Sequence, residues 1–121
     1  MIKHVVLLKK RPDMTDEAFR DYYENHHSKL IRFMPEAKRY VRRYVVPRPI
    51  AAHIQNPPPL DVDVITEVWF ETIEDYNSAR ARVDNPEVGK LFAEDEENLF
   101  DRTMIRSFLV EEVDSVLPPA K

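Results

Sequence analysis

The sequence predicts one α+β domain of β-α-β-β-α-β order, and three observations lead there. Residues 61–70 alternate their side chains with period two, residues 15–34 repeat apolar side chains at three- and four-residue spacing, and proline-containing breaks separate the remaining segments. A chain of 121 residues has room for one hydrophobic core and no second catalytic domain. Residues 1–112 read as that domain and 113–121, with Leu117, Pro118 and Pro119, as a loose tail.

Each element follows from local chemistry. Residues 2–9 form an aliphatic, β-branched run too short for a stable helix and closed by Pro12-Asp13, so they read as the first strand. Thr15 is the N-cap of the first helix, with Asp16 and Glu17 in the first turn where the helix dipole favours anions. Phe19, Tyr22, Tyr23, His26, Leu30, Phe33 and Met34 mark its apolar face, and Pro35 ends it. Residues 38–46, rich in Val and Tyr, read as the second strand. Five prolines between Pro47 and Leu60 make an extended loop, long enough to act as a lid. The third strand is 61–70. Thr72 caps a second helical region that breaks near Asn85-Pro86 and resumes through Leu99, and 103–111 form the fourth strand.

Composition narrows the functions. With 43% apolar and 33% charged residues the chain has the balance of a folded globule, and its net charge of -4 gives no global attraction to nucleic acid or to anionic membranes. Cysteine is absent, which removes disulfides, thiolate nucleophiles and iron-sulfur clusters and fits a reducing cytoplasm. The apolar stretch near Met1 is too short for a membrane span and lacks a cleavage site, so the segment reads as carrying no signal. Gly89 is the single glycine, so no Gly-rich phosphate loop exists. The four histidines lack paired metal-ligand spacing, and neither a metal nor a cofactor is expected.

Two βαβ-like halves give a ferredoxin-like sandwich with helices on one sheet face. Val62, Val64, Thr66, Val68 and Phe70 share one face of the third strand; Asp61, Asp63, Ile65, Glu67 and Trp69 share the other. The second set is left uncovered by the helices, which predicts sheet-to-sheet homodimerisation. The interior formed in that way, lined by Asp63, Ile65, Glu67 and Trp69 with tyrosines or arginines of the second strand, is apolar with a few polar groups and suits a small hydrophobic or aromatic ligand.

The stretches Leu7-Leu8-Lys9-Lys10, Phe19-Arg20-Asp21-Tyr22-Tyr23-Glu24-Asn25-His26-His27, Met34-Pro35, Tyr40 and Asp61 through Phe70 carry a resemblance over almost the whole chain. The sequence resembles the EthD family of dimeric α+β barrel proteins, which is similar to the muconolactone isomerases and methylmuconolactone methylisomerases. That resemblance implies a homodimer with a cavity on the open sheet face. It sets the family's helix-one histidine on His27, or on His26 by the methylisomerase pattern, a pocket tyrosine on Tyr40 and a loop histidine at His53. The pocket cysteine of the methylisomerases falls on Val68.

A histidine removes a proton alpha to a carbonyl, and a tyrosine hydroxyl stabilises the developing oxyanion. The sequence therefore nominates His27 as base, Tyr40 as electrophile and Glu67 as a second acid or base. The remaining pocket contacts are Trp69, His26, His53, Ile65 and Asp63. On a continuous helical wheel His26 sits near the centre of the apolar face and His27 at its edge. The plain alternatives are a helix-end histidine, a strand aromatic and an ion pair of Glu67 with Arg42 or Arg106. The basic cluster Lys38, Arg39, Arg42, Arg43 and Arg48 reads as a solvated face or as partners for the acidic run 94–97. It lacks the stacking aromatics of RNA-binding sheets. The expected function is a cofactor-independent isomerase, lyase or dehydratase acting on a cyclic or aromatic carbonyl compound. Its rival is an accessory protein that holds a hydrophobic intermediate for an oxygenase.

Overall fold

Thr15 and Thr72 start the two helical segments of one layer as the sequence predicts. Their hydroxyls accept the backbone N–H groups of Ala18 and Asp75, each at 3.1 Å. The computed structural model describes residues 1–120. Its elements are β1 (Ile2–Leu8), α1 (Asp16–Asn25), β2 (Arg39–Tyr44), β3 (Val64–Phe70), α2 (Ile73–Val83), α3 (Pro86–Glu97) and β4 (Arg106–Val110), with 3-10 helices at His27–Phe33 and Arg102–Met104.

One antiparallel sheet in the order β2-β3-β1-β4 forms the second layer, which is the ferredoxin-like α+β arrangement. Register fixes the faces. Glu67 stands opposite Val5 on β1 and Val41 on β2, and Thr66 opposite Val6 and Arg42. Odd-numbered residues of β1, β2 and β3 therefore share the open face, and even-numbered ones face the helices. Val64 and Phe70 are fully covered on that side and pack against Phe19, Tyr23 and Ala79 among others. Edge-on aromatic contacts join Phe19 to Tyr23 at 6.3 Å and to Phe100 at 5.9 Å. Each such contact adds about 0.5–1.5 kcal/mol beyond area burial.

Three boundaries depart from expectation. The first helix does not run on to Met34 but tightens into a 3-10 helix after His26, whose backbone (φ -126°, ψ -66°) leaves the α region. The Ser28 hydroxyl takes the Glu24 carbonyl at 2.7 Å, filling the place its own backbone N–H would occupy in a continuing α-helix. β3 starts at Val64 rather than 61; Asp63 still bonds both neighbouring chains, its N–H on the Leu8 carbonyl and its carbonyl accepting from Val45, while its carboxylate turns to accept the Lys10 N–H. β4 starts at Arg106, behind a short turn capped by Asp101. The predicted break at Asn85-Pro86 is present, with Asn85 capping α3. A Cβ on Gly89 would stand 3.1 Å from the Val83 carbonyl, so the lone glycine lets α3 fold back closely on α2. No helix among the described residues is long and apolar enough to cross a membrane.

Candidate functional site

Between the even-numbered sheet face and the helices lies a cavity of about 320 Å³. Its walls are largely apolar, from Val6 and Leu8 on β1, Val68 and Phe70 on β3, and Ala79 and Phe92 on the helices. Among the polar side chains that break that surface are His4, Tyr23, His27, Thr66, Arg80 and Glu96. An apolar hollow with a few convergent polar groups is the form small-molecule sites take.

His27 enters the cavity because of the change in helix type. A 3-10 helix turns about 120° per residue instead of 100°, so the continuous wheel fails at this point. His27 swings inward and is 8% exposed, while His26 faces solvent beside the Tyr22 ring. The expected order, His26 packed and His27 at the rim, is reversed. His27 Nδ1 lies 2.5 Å from Asp95 Oδ2. Tyr22 donates to the other carboxylate oxygen at 2.7 Å and accepts from Asn98 at 3.2 Å. With Asp95 as acceptor, Nδ1 carries the proton and Nε2 holds the lone pair. The side-chain hydrogen bond of His27 runs through Nδ1 alone, and Nε2 has no partner among the described residues. The rings of Tyr23 and Phe100, edge-on at 5.1 and 5.2 Å, clamp the imidazole. Burial pulls the His27 pKa below the ordinary value and outweighs the opposing pull of Asp95. The resting ring is neutral and basic at Nε2.

Tyr40 is on the same side but one step behind the cavity wall. Its hydroxyl donates to Tyr23 at 3.4 Å, and the Tyr23 hydroxyl is 2.5 Å from Thr66 Oγ1. Arg42 covers the Tyr40 ring at 4.5 Å, and burial pushes the Tyr40 hydroxyl far above the usual phenol range. Both tyrosines stay protonated. Tyr23, read in the sequence only as part of an apolar face, is the one that touches the cavity.

Glu67 is a correction. It was expected in one pocket with His27 and Tyr40, but the period of β3 puts it on the open face with Ile65 and Trp69. There it receives Arg43 in a two-pronged pair at 3.0 and 3.1 Å, and Lys3 at 3.3 Å. Arg42 and Arg106, the partners considered from sequence, bind Glu24 and Asp61 instead. The Arg43 pair holds the Glu67 carboxyl below the usual range and thus ionised. Trp69 lies between Lys3 at 4.8 Å and Arg39 at 5.6 Å. Asp63 is bound to the Lys10 backbone, and His53 is exposed in the proline-rich loop. No residue of that loop lines the cavity; Pro47 and Leu60 border a separate groove beside α1. The loop therefore does not act as a lid over the cavity in this conformation.

Sequence reasoning missed His4, Asp95, Glu96, Thr66 and Arg80. The acidic run 94–97 was read as partners of the basic cluster on the second strand, yet Glu96 and Glu97 approach Arg102, Glu94 approaches Lys90, and Asp95 binds His27. The spacing of Phe92 and Glu96, one turn apart on the cavity side of α3, was the available signal. Burial raises the Glu96 carboxyl above its ordinary pKa against the pull of Arg102, with Asp95 and Glu97 adding to the rise. Among the described residues no three His, Asp or Glu side chains gather as metal ligands would.

The EthD domain family matches residues 11–103. The chain belongs to the EthD domain family. An EthD-family protein of Bacillus halodurans superposes with a TM-score of 0.64 at 18% identity, covering 93% of this chain and all of that one. The Arabidopsis thaliana protein At3g17210 gives 0.65 at 17%, covering 97% of this chain and 100% of that chain. A Thermobifida fusca protein described as dimeric, ferredoxin-like and of unknown function gives 0.57 at 17%, covering 90% of this chain and 88% of that one. These likenesses show the EthD chain's fold. No curated protein matches it.

Proposed function

We propose that this EthD protein is a proton-transfer enzyme of isomerase, lyase or dehydratase type, acting without a cofactor on a small cyclic or aromatic carbonyl compound held in the helix-side cavity. The observation that carries this reading is the Asp95-His27 pair, which leaves Nε2 as an unpartnered base beside a largely apolar cavity. Nε2 takes the proton from the carbon alpha to the carbonyl. The C–H electron pair forms a C=C bond, and the carbonyl π pair moves onto oxygen. Glu96, whose carboxyl burial raises above its ordinary pKa, serves as the acid that gives its proton to that oxygen. In an isomerisation the His27 imidazolium returns its proton to another carbon as the enol O–H proton goes back to Glu96; in an elimination a leaving group on the adjacent carbon departs with its bonding pair and takes the His27 proton, and the enol O–H proton likewise returns to Glu96. Tyr40 acts through Tyr23, whose hydroxyl is a second donor at the wall.

Incubating the protein with cyclic ketones, lactones and aryl ketones in D2O, and following alpha-deuteration by NMR, tests this reading. Exchange catalysed by wild type and abolished in a folded His27→Ala variant is expected; exchange that survives the substitution removes His27 from the role. Tight binding without exchange favours the accessory-protein reading, for which the same apolar walls suffice.

The same reading includes a homodimer. Its support is the open sheet face, where Leu7, Ile65, Trp69 and the 44% exposed Phe108 lie without a covering layer. Proteins of this fold from Thermobifida fusca and Bacteroides fragilis are described as dimeric.

A further inference from the structure

Charge in the cavity is unevenly assigned. Burial favours the neutral forms of His4 and His27, and it favours the protonated form of Glu96. Arg80 is then the permanently charged group among the lining residues. Three other arginines each grip a carboxylate through two nitrogens: Arg42 holds Glu24, Arg43 holds Glu67 and Arg82 holds Glu36. Arg80 differs. Its Nε reaches Asp84 at 3.4 Å in an exposed pair, one Nη nitrogen reaches the Tyr76 hydroxyl at 3.3 Å, and the second Nη has no partner among the described residues. The contact with Tyr76 ties the guanidinium to the cavity side, since Tyr76 itself lines the cavity and packs edge-on against His4 at 5.4 Å. An exposed pair of the Arg80-Asp84 kind is worth little and yields readily to a better acceptor.

We propose that the cavity takes a small aromatic or cyclic monocarboxylate, with the carboxylate on Arg80 at the mouth and the ring against Val68 and Phe70. This deepens the proposed function by naming the substrate class, and it rests on the same cavity being the binding site, though not on catalysis there. A planar guanidinium with free donors matches two carboxylate oxygens at once, which a neutral ketone oxygen does not offer. The apolar walls supply affinity for the ring in the same step.

The test compares 2-naphthoate with 2-acetonaphthone, a neutral carbonyl compound of nearly the same shape, by calorimetry on the full chain. The expected result is naphthoate binding at least about tenfold tighter to wild type, with a preference that shrinks as salt rises. Arg80→Gln is expected to abolish the preference while acetonaphthone binding stays as it was. Arg80→Lys keeps the charge without the fork and should restore only part of it. Equal affinities in wild type, a preference retained in Arg80→Gln, or equal weakening of both ligands overturns the proposal while leaving the cavity as a binding site. If neither probe binds, the cavity reading fails and this assignment with it.

Discussion

His27 Nδ1 stands 2.5 Å from Asp95 Oδ2, and this contact joins the 3-10 helix that follows α1 to α3 across 68 positions of sequence. It does two things at once: it selects the tautomer of the imidazole and aims Nε2. Asp95→Asn keeps the shape but replaces an obligate acceptor by an amide that can turn its NH2 toward Nδ1, favouring the other tautomer. Alpha-deuteration should fall by about 100-fold or more, within the range of general-base contributions. Because Asp95 opposes the effect of burial, its neutralisation should also move the His27 titration to still lower pH. Imidazole NMR resonances followed against pH read this out, and an unmoved titration would contradict the role given to Asp95.

The Tyr23 hydroxyl links Thr66 to Tyr40 inside the core, with Tyr23 itself 1% exposed. Tyr23→Phe keeps the ring packing against Phe19 and Phe100 while leaving the Thr66 hydroxyl short of a partner. A loss of about 1–2 kcal/mol in urea unfolding is expected, along with a slower deuteration rate. An unchanged stability would show that Thr66 and Tyr40 find other partners.

Glu96 should couple activity to instability. Its folded pKa lies above the ordinary carboxylate value of 4.5, so between the two values the folded state holds a proton that the unfolded chain has already released. Stability from this group is therefore complete below pH 4.5 and is lost as pH rises through the raised folded pKa. Glu96→Gln removes that loss. At neutral pH its Tm should exceed that of wild type, the gap should close on acidification below pH 4.5, and alpha-deuteration should slow. His27 works with the opposite slope: its lowered pKa means the unfolded state gains protons first, so stability falls as pH drops below the ordinary imidazole value of 6.5. His27→Gln should flatten the acid limb of the stability curve in that window.

The sequence carried the architecture well because its signals are local. Threonine caps, an asparagine-proline break and the alternation of residues 64–70 each act within a few residues, and tertiary packing did not override them. The site was less legible for two physical reasons. A helix wheel assumes constant rotation, and the switch to 3-10 geometry after His26 exchanged the positions of the two histidines. Strand alternation separates faces but says nothing of which one holds the cavity. Glu67, Ile65 and Trp69 were thus correctly grouped with one another and wrongly grouped with His27. Asp95 was hidden because an acidic helix run ordinarily faces water, and the His27 contact is set by the packing of α3 beside the 3-10 helix rather than by spacing.

Trp69 offers a test of association that leaves the cavity alone, because it stands on the opposite face of β3 from Val68 and Phe70. Its ring is held between Lys3 and Arg39, and Phe108 sits across β1 on the same open face. A second sheet laid against this surface would bury both aromatics, whereas an aspartate at position 69 would bring an anion into that layer beside the already ionised Glu67. Light scattering should give wild type twice the 14.3 kDa chain mass and Trp69→Asp a single chain mass at the same concentration. Circular dichroism should show the variant still folded, and naphthoate binding should persist if each chain completes its own cavity. Loss of binding on dissociation, with the fold intact, would mean that the second copy contributes to the site; a Trp69→Asp variant that stays paired would mean that this sheet face is not where the copies meet.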